Sequence, residues 1–476
     1  MRRTKIVATL GPNSSNLNVL RQMIAAGVDV VRLNFSHGNV EEKRSLVNTV
    51  RQAAKAEGRI VGILADLQGP KIRIAKFKDG KVILKEDITF ILDAALATNA
   101  GDETSVGIDY KALPQDVKAK DILLLDDGRL VFIVEKVEGS KIICRVSVGG
   151  ELSNNKGINR QGGGLSAGAL TDKDREDLKT AVALNVDYIA ISFVRSKLDV
   201  EETKALIAKE GGKTGVIAKI ERIEAIVPET LEEIIKTSDG IMVARGDLAV
   251  EIGDAEVPGA QKLMIDYARL LHKPVITATQ MMETMIHSVV PTRAEVSDVA
   301  NAVLDGSDAV MLSAETATGE HPVLVIQTMD RVCLAAEKQP QSLGPDNQAE
   351  VHYTRADETI AVAAVYVANH LQIKAIVSLT ETGMTALWIS RVRSGIPIYG
   401  LSRDGNALGK MALYNDVYPI EFDVTGFKNN TKLKQAAVSK LQQSSLVETG
   451  NLVVVTSGDN IGIAGKTNSL TILQVT

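Results

Sequence analysis

The chain has 476 residues, of which 45% are hydrophobic and 24% charged, a balance that suits a globular protein of two to four domains with a sizeable core. A net charge of −5 and only 3% aromatic residues supply neither the broad positive field nor the stacking platform that nucleic acid or an anionic membrane would need, so anions must be met at a local site. Two distant cysteines, Cys144 and Cys333, exclude a disulfide framework or cysteine zinc site and fit a reducing cytoplasm, and no run approaches the roughly 20 apolar residues of a membrane span or resembles a signal-peptide core.

In chain order, β-branched runs alternate with amphipathic segments. Strands are predicted at 5–10, 28–36, 61–67, 186–193, 214–221, 239–247, 273–280 and 308–315, most of them near-continuous apolar runs of the kind that parallel strands covered on both faces require. Helical patterns fall between them, as at 17–26, 41–56, 172–184 and 256–271. Eight such units predict an α/β fold, a TIM (β/α)8 barrel spanning 1–69 and 165–340; a doubly wound open sheet is disfavoured because no Gly-rich dinucleotide turn is present. After strand 3, residues 70–164 carry alternating strands (81–84, 122–125, 130–134, 141–148) and the turn pairs Asp79-Gly80, Asp127-Gly128 and Glu138-Gly139, which predict an inserted all-β domain, a β-barrel lid over the site. Gly162-Gly163-Gly164 reads as the hinge that returns the chain to the barrel rather than as a phosphate loop. A linker at 339–346 leads to a C-terminal α/β domain, 345–476, with helices at 356–370, 385–393, 407–413 and 428–443 and about five strands at 374–379, 396–401, 417–422, 452–456 and 470–475.

In such barrels the chemistry sits at the C-terminal ends of the strands. Those ends carry Arg32, Asn34, Ser36 and His37 (strand 2), Asp66 (3), Ser192 (4), Lys219 and Glu221 (5), Arg245, Gly246 and Asp247 (6), Thr279 and Gln280 (7), and Ser313 and Glu315 (8). Glu221 and Asp247, from adjacent strands, are hard oxygen donors suited to Mg²⁺ or Mn²⁺, whereas His37 alone does not make a zinc site. Arg32, Arg73, Lys156 and Lys219 add positive charge, so the rim fits phosphate or a polyanionic transition state. Lys219 lies two residues before Glu221 and therefore on the same side of its strand. It can stabilise a transferring phosphoryl or a developing enolate, or merely pair with Glu221.

Thr9-Leu-Gly-Pro12, Val31-Arg-Leu-Asn-Phe-Ser-His-Gly38, Ile217-Ala-Lys-Ile-Glu221, Met242-Val-Ala-Arg-Gly-Asp-Leu248, Ala278-Thr-Gln-Met281, Pro291-Thr-Arg-Ala-Glu295 and Met311-Leu-Ser-Ala-Glu-Thr316, in this order, resemble the pyruvate kinase family over essentially the full chain. The resemblance implies phosphoryl transfer from phosphoenolpyruvate to ADP. It assigns Arg32 and Arg73 to the transferring phosphoryl, and Asn34, Ser36, His37, Arg73 and Lys156 to the nucleotide side. Glu221 and Asp247 take the divalent metal, and Lys219 the transition state and enolate oxygen. Gly246, Asp247 and Thr279 lie against phosphoenolpyruvate, and Thr279 and Ser313 belong to the proton relay. A cytoplasmic homotetramer is also implied.

One run departs from the K⁺-dependent pattern of the family. Asp66-Leu67-Gln68-Gly69-Pro70-Lys71 carries Lys71 where glutamate is usual, so its ammonium supplies the charge K⁺ would bring and activity without K⁺ is expected. Asn34, Ser36, Asp66 and Leu67 remain as a vestigial monovalent-cation site. In the C-terminal domain, Thr380, Thr382, Gly383 and Thr385 open a helix after a strand, a setting for an anion. The resemblance makes this the site of a phosphorylated allosteric effector, such as AMP or a sugar monophosphate, covered by the loop 457–468. The Gly465-Lys466-Thr467 run within that loop is not a P-loop, because a strand and not a helix is predicted to follow. A metal-dependent barrel lyase or aldolase acting on phosphoenolpyruvate or 2-oxoacids is the alternative, but it needs neither the lid nor the nucleotide-side residues.

Overall fold

The computed structural model describes residues 1–340, 355–460 and 462–476, so most of the expected linker lies outside the described residues. Eight parallel strands, Lys5–Leu10, Val30–Asn34, Gly62–Asp66, Tyr188–Ile191, Gly215–Ile220, Gly240–Ala244, Val275–Ala278 and Ala309–Leu312, close into a ring in which the first pairs with the last. Their residues are almost all buried because helices cover the outer face and side chains fill the inner one, which is why they read as continuous apolar runs. Helix starts follow local chemistry: capping boxes at Asn39–Glu42, Thr171–Asp174 and Thr292–Glu295 satisfy the first-turn amides of the helices after strands 2, 3 and 7.

The strands end earlier than expected. Residues 245–247 and 314–315 open helices, Arg245–Ile252 and Ala314–Ala317, while Phe193, Thr279 and Gln280 leave the ladder in left-handed turns at φ 56°, 70° and 54°. The apolar pattern continues through these ends, but the hydrogen-bonded register stops where the chain turns out to form the rim.

Between Gly62–Asp66 and Tyr188–Ile191 the inserted segment forms a six-stranded sheet and a two-stranded ladder, Lys81–Leu84 with Gly150–Ser153. Where a β-barrel was expected, these two ladders share one core that includes Phe90, Phe132 and Leu123, with isolated bridges such as Ile74–Ile108 outside their strands. A short helix, Leu113–Asp116, and the strands Thr89–Asp93, Ser105–Gly107 and Ile158–Arg160 carry too little alternation to have been recognised.

The C-terminal segment holds a five-stranded sheet in the order Val417–Glu421, Ile398–Ser402, Ile373–Leu379, Leu452–Gly458, Thr467–Gln474, with only the last antiparallel. Its core is continuous with the barrel interior: Val7, Leu64, Tyr188, Ile217 and Met242 belong to one buried cluster with Leu408, Met411 and Tyr414. The N-terminal face of the barrel is thereby sealed by apolar contact, and the polar strand ends are left at the opposite rim, beside the insert. Among the described residues no helix is long and apolar enough to cross a membrane.

Candidate active site

A cavity of about 130 Å³ lies at the rim, lined by Arg32, Asn34, Ser36, Asp66, Leu67, Lys71, Lys219, Glu221, Asp247, Thr279 and Ser313. Lys219 is its centre. The ammonium donates to Glu221 Oε1 at 2.8 Å and to Ser192 Oγ at 2.9 Å, and lies 3.5 Å from Asp66 Oδ1. Ser192 is held in turn by donating to Leu67 O. Arg32 clasps Asp66 Oδ2 through two nitrogens at 2.6 Å and donates to Thr9 Oγ1. Strands 2, 3 and 5 are thus tied together by charge at the mouth of the barrel.

Burial alone would discharge Lys219, but Asp66 and Glu221 outweigh it and hold its pKa above the ordinary lysine value. The same pairing, with Arg32, keeps the Asp66 carboxyl below its usual range despite burial. At neutral pH Lys219 is a fixed cation rather than a proton donor. Glu221 is different: burial pushes its carboxyl up, and the nearby Asp247 charge adds to the push against the pull of Lys219. A buried carboxylate pushed up by burial and by a neighbouring negative charge is part of a donor set that a divalent cation would relieve. Among the described residues no three acidic, histidine or cysteine side chains group as a metal site, so a divalent cation held by Glu221 and Asp247 would need further ligands from substrate or water.

Strand 7 ends in strain. Thr279, a β-branched residue, sits at φ 70°, a conformation that costs about 1–3 kcal/mol. Its hydroxyl donates to Ala278 O at 2.6 Å and accepts from Gly246 N at 3.1 Å. A Cβ on Gly246 would have Thr279 Oγ1, 3.9 Å away, as its nearest neighbour, so the missing side chain leaves open space beside Thr279. Arg245 fixes the turn by donating to Ala278 O at 3.1 Å and Thr279 O at 2.6 Å while pairing with Asp298. Glu315 does the same for strand 8, accepting from Ser313 N at 2.6 Å and Met282 N at 3.2 Å. Neither Arg245 nor Glu315 was given a specific role from sequence; their places at the ends of strands 6 and 8 and inside quoted motifs were the signals.

The nucleotide-side candidates divide. Asn34 and Ser36 line the rim cavity, and the Asn34 side chain accepts from Ser36 N. Arg73 and Lys156 line an adjoining cavity of about 290 Å³ that shares Lys71, Phe193 and Asp247 with the first, and Lys156 pairs with Asp126 at 2.8 Å. His37 is exposed and lines neither. Thr380, Thr382 and Thr385 line a separate cavity of about 250 Å³ in the C-terminal segment, facing Ser457, Gly458 and Thr467 of the second loop. Gly383 caps the helix there at φ 82°, and the Thr385 and Thr467 hydroxyls meet at 2.8 Å. The element after that loop is the strand Thr467–Gln474, in keeping with the rejected P-loop.

A closed parallel barrel with cations and paired carboxylates on its C-terminal rim is, as a class, an enzyme that handles an anionic substrate with a divalent metal. Family comparison makes this specific: residues 1–326 match the pyruvate kinase barrel domain and residues 358–473 the pyruvate kinase alpha/beta domain. The chain is 50% identical over 477 residues to pyruvate kinase II of Salmonella typhimurium, covering 100% of this chain and 99% of that protein. It is 50% identical over 461 residues to a Haemophilus influenzae pyruvate kinase (96% of each chain), and 40% identical over 476 residues to one from Mycobacterium tuberculosis (100% of this chain, 98% of that protein). The chain belongs to the pyruvate kinase family and is a phosphotransferase.

Proposed function

We propose that the rim performs phosphoryl transfer from phosphoenolpyruvate to ADP as follows, giving pyruvate and ATP with uptake of one proton. The observation that carries the reading is the buried Lys219 ammonium, held charged between Asp66 and Glu221 at the centre of the rim cavity. Glu221 and Asp247 hold Mg²⁺ (or Mn²⁺), which supplies positive charge to the substrate oxygens. Lys219 stabilises the charge that builds on the phosphoryl and then on the enolate oxygen, Arg32 and Arg73 orient the phosphoryl, and Asn34, Ser36, His37 and Lys156 receive the nucleotide. Gly246 and Thr279 seat the substrate, and the Thr279 and Ser313 hydroxyls belong to the chain that delivers a proton to the enolate carbon.

Lys71 makes K⁺ dispensable. In support, Asp66 is already neutralised by Arg32 and Lys219, which leaves little to attract a monovalent cation to Asn34, Ser36, Asp66 and Leu67. We further propose that 70–164 works as a lid. The cavity between the two C-terminal loops takes a phosphorylated effector, AMP or a sugar monophosphate, at Thr380, Thr382, Gly383 and Thr385, and the working form is a cytoplasmic homotetramer. The test is a coupled assay of pyruvate formation with and without chelator, titrated with AMP and ribose 5-phosphate. Turnover abolished by chelator and a lowered phosphoenolpyruvate half-saturation with one effector are expected. Turnover that survives chelation removes the metal role, and no response to any phosphometabolite removes the effector role.

A further inference from the structure

The insert returns to the barrel through Gly162-Gly163-Gly164, three consecutive residues in the left-handed region at φ 82°, 72° and 85°. Such a run is a natural pivot, yet here it is held by Arg160 of the insert, which donates to Gly163 O at 2.9 Å, and by groups from the two segments that carry the metal carboxylates. From the segment just after Glu221, Glu224 Oε1 accepts from Gly164 N, and Arg222 donates to Leu165 O at 3.1 Å. From the helix that carries Asp247, Glu251 accepts Gly162 N on its backbone carbonyl at 3.3 Å and Ile223 N on its carboxylate at 2.8 Å. Arg222 and Glu251 are 2% and 4% exposed, and Arg222 lies over the ring of Phe193, whose own amide donates to Glu221 Oε2 at 2.8 Å.

Two observations mark this as more than a packed turn. Arg222 Nε and Glu224 Oε2 are buried without hydrogen-bond partners, so the cluster stops short of satisfying its own charges. Gly163 is pressed against the same segment: a Cβ there would fall 2.5 Å from Ile223 Cγ2 and 2.7 Å from Glu224 Oε1. The other crossing of the insert is anchored separately, by Gly69 N donating to the fully buried Asp174 at 3.1 Å. The crossing with unpartnered buried polar atoms beside it is the one built on Arg222, Glu224 and Glu251.

We infer that Arg222, Glu224 and Glu251 are positioning residues that form a latch on the Gly162–Gly164 hinge, coupling occupancy of the Glu221 and Asp247 carboxylates to the angle of the insert over the nucleotide-side cavity. The inference rests on the metal and lid roles proposed above. Shifting either carboxylate toward a cation pulls on Arg222, the next residue, and Glu224, three residues on, or on Glu251 through one helical turn, and so changes what holds the hinge. Arg73 and Lys156, which ride on the insert, move with it.

The test measures hydrogen exchange of the 160–166 amides with Mg²⁺ alone as the probe, beside steady-state kinetics, in wild type, Glu224→Ala, Glu224→Gln and Gly163→Ala. Wild type is expected to change exchange at the hinge by about threefold or more on adding Mg²⁺, Glu224→Ala to lose that response, and Glu224→Gln, which keeps an acceptor oxygen, to retain most of it. Glu224→Ala should raise KM for ADP about tenfold while kcat and KM for phosphoenolpyruvate stay within about threefold. Gly163→Ala, which touches no rim side chain, should reproduce the loss and stands in if Glu224→Ala does not fold. A hinge that responds to Mg²⁺ equally in Glu224→Ala and Gly163→Ala, or a wild-type hinge that does not respond while the enzyme turns over normally, overturns the latch and leaves the functional reading standing. Absence of turnover in wild type would instead strike at that reading.

Discussion

The two ends of the barrel bury the same kind of chemistry for different ends. At the base, Arg391 and Asp308 form an ion pair with side chains 4% and 0% exposed, and Asp308 also accepts from Val275 N at 3.0 Å and Asn415 N at 3.1 Å. Arg391 lies on the C-terminal helix Met384–Val392, so this pair fastens that segment to the starts of strands 7 and 8. At the rim, Lys219 and Arg32 pair with Asp66 and Glu221, which are almost as buried, but the cluster opens on a cavity. The base closes its charges against protein, and the rim keeps one side of its charges for a ligand. A buried ion pair is therefore a joint in one place and a tool in the other, and what separates them is whether a cavity adjoins.

Lys219→Met breaks the comparison hardest. It should lower kcat by about a thousandfold or more with the melting temperature little changed, read from steady-state kinetics beside thermal denaturation. Arg391→Met is its mirror: leaving Asp308 buried and unpaired should cost about 3–5 kcal/mol in denaturant titration, with turnover of the folded fraction retained. Both variants showing the same balance of activity and stability loss would erase the distinction. Arg245→Ala, which releases the strained Thr279 turn, should reduce kcat about 10- to 100-fold while metal affinity, measured by Mn²⁺ titration, holds. Lys71→Glu should make turnover K⁺-dependent, with about a tenfold fall in K⁺-free buffer that added K⁺ restores.

The smallest expected effect lies at the base. Burial pushes the Asp187 carboxyl up to about 6, against the pull of the half-exposed Arg51 guanidinium 3.2 Å away. Because the native state then holds a proton that the unfolded chain has given up, the stability this group contributes is full below the ordinary carboxylate range and is lost as pH rises to about 6. Asp187→Asn should remove that loss, so its melting temperature should gain on wild type by a few degrees between pH 4.5 and 6.5 and run parallel above.

The barrel was legible because strands buried on both faces leave unbroken apolar runs, and the pairing of Lys219 with Glu221 because residues two apart on a strand share a side. The rim geometry beyond that was not. Arg32 meets Asp66 only through the register of strands 2 and 3, in which Asn34 lies opposite Asp66. Arg245 reaches Thr279 across 34 positions of sequence, and Glu251 reaches the hinge from a helix whose first turn was read as strand. Ladder ends and cross-strand contacts are tertiary facts that periodicity does not encode. His37 is legible only from its motif: its side chain is exposed and lines neither cavity, so its nucleotide-side role rests on the proposal and not on rim geometry.

The most direct measurement of the central claim is pyruvate formation from phosphoenolpyruvate and ADP with Mg²⁺ in K⁺-free buffer at constant ionic strength. Rim charges supplied by Arg32, Lys71 and Lys219 predict full turnover there, raised less than about tenfold by K⁺. Turnover that appears only when K⁺ is added would contradict the role given to Lys71, and no turnover under either condition would contradict the account of the rim.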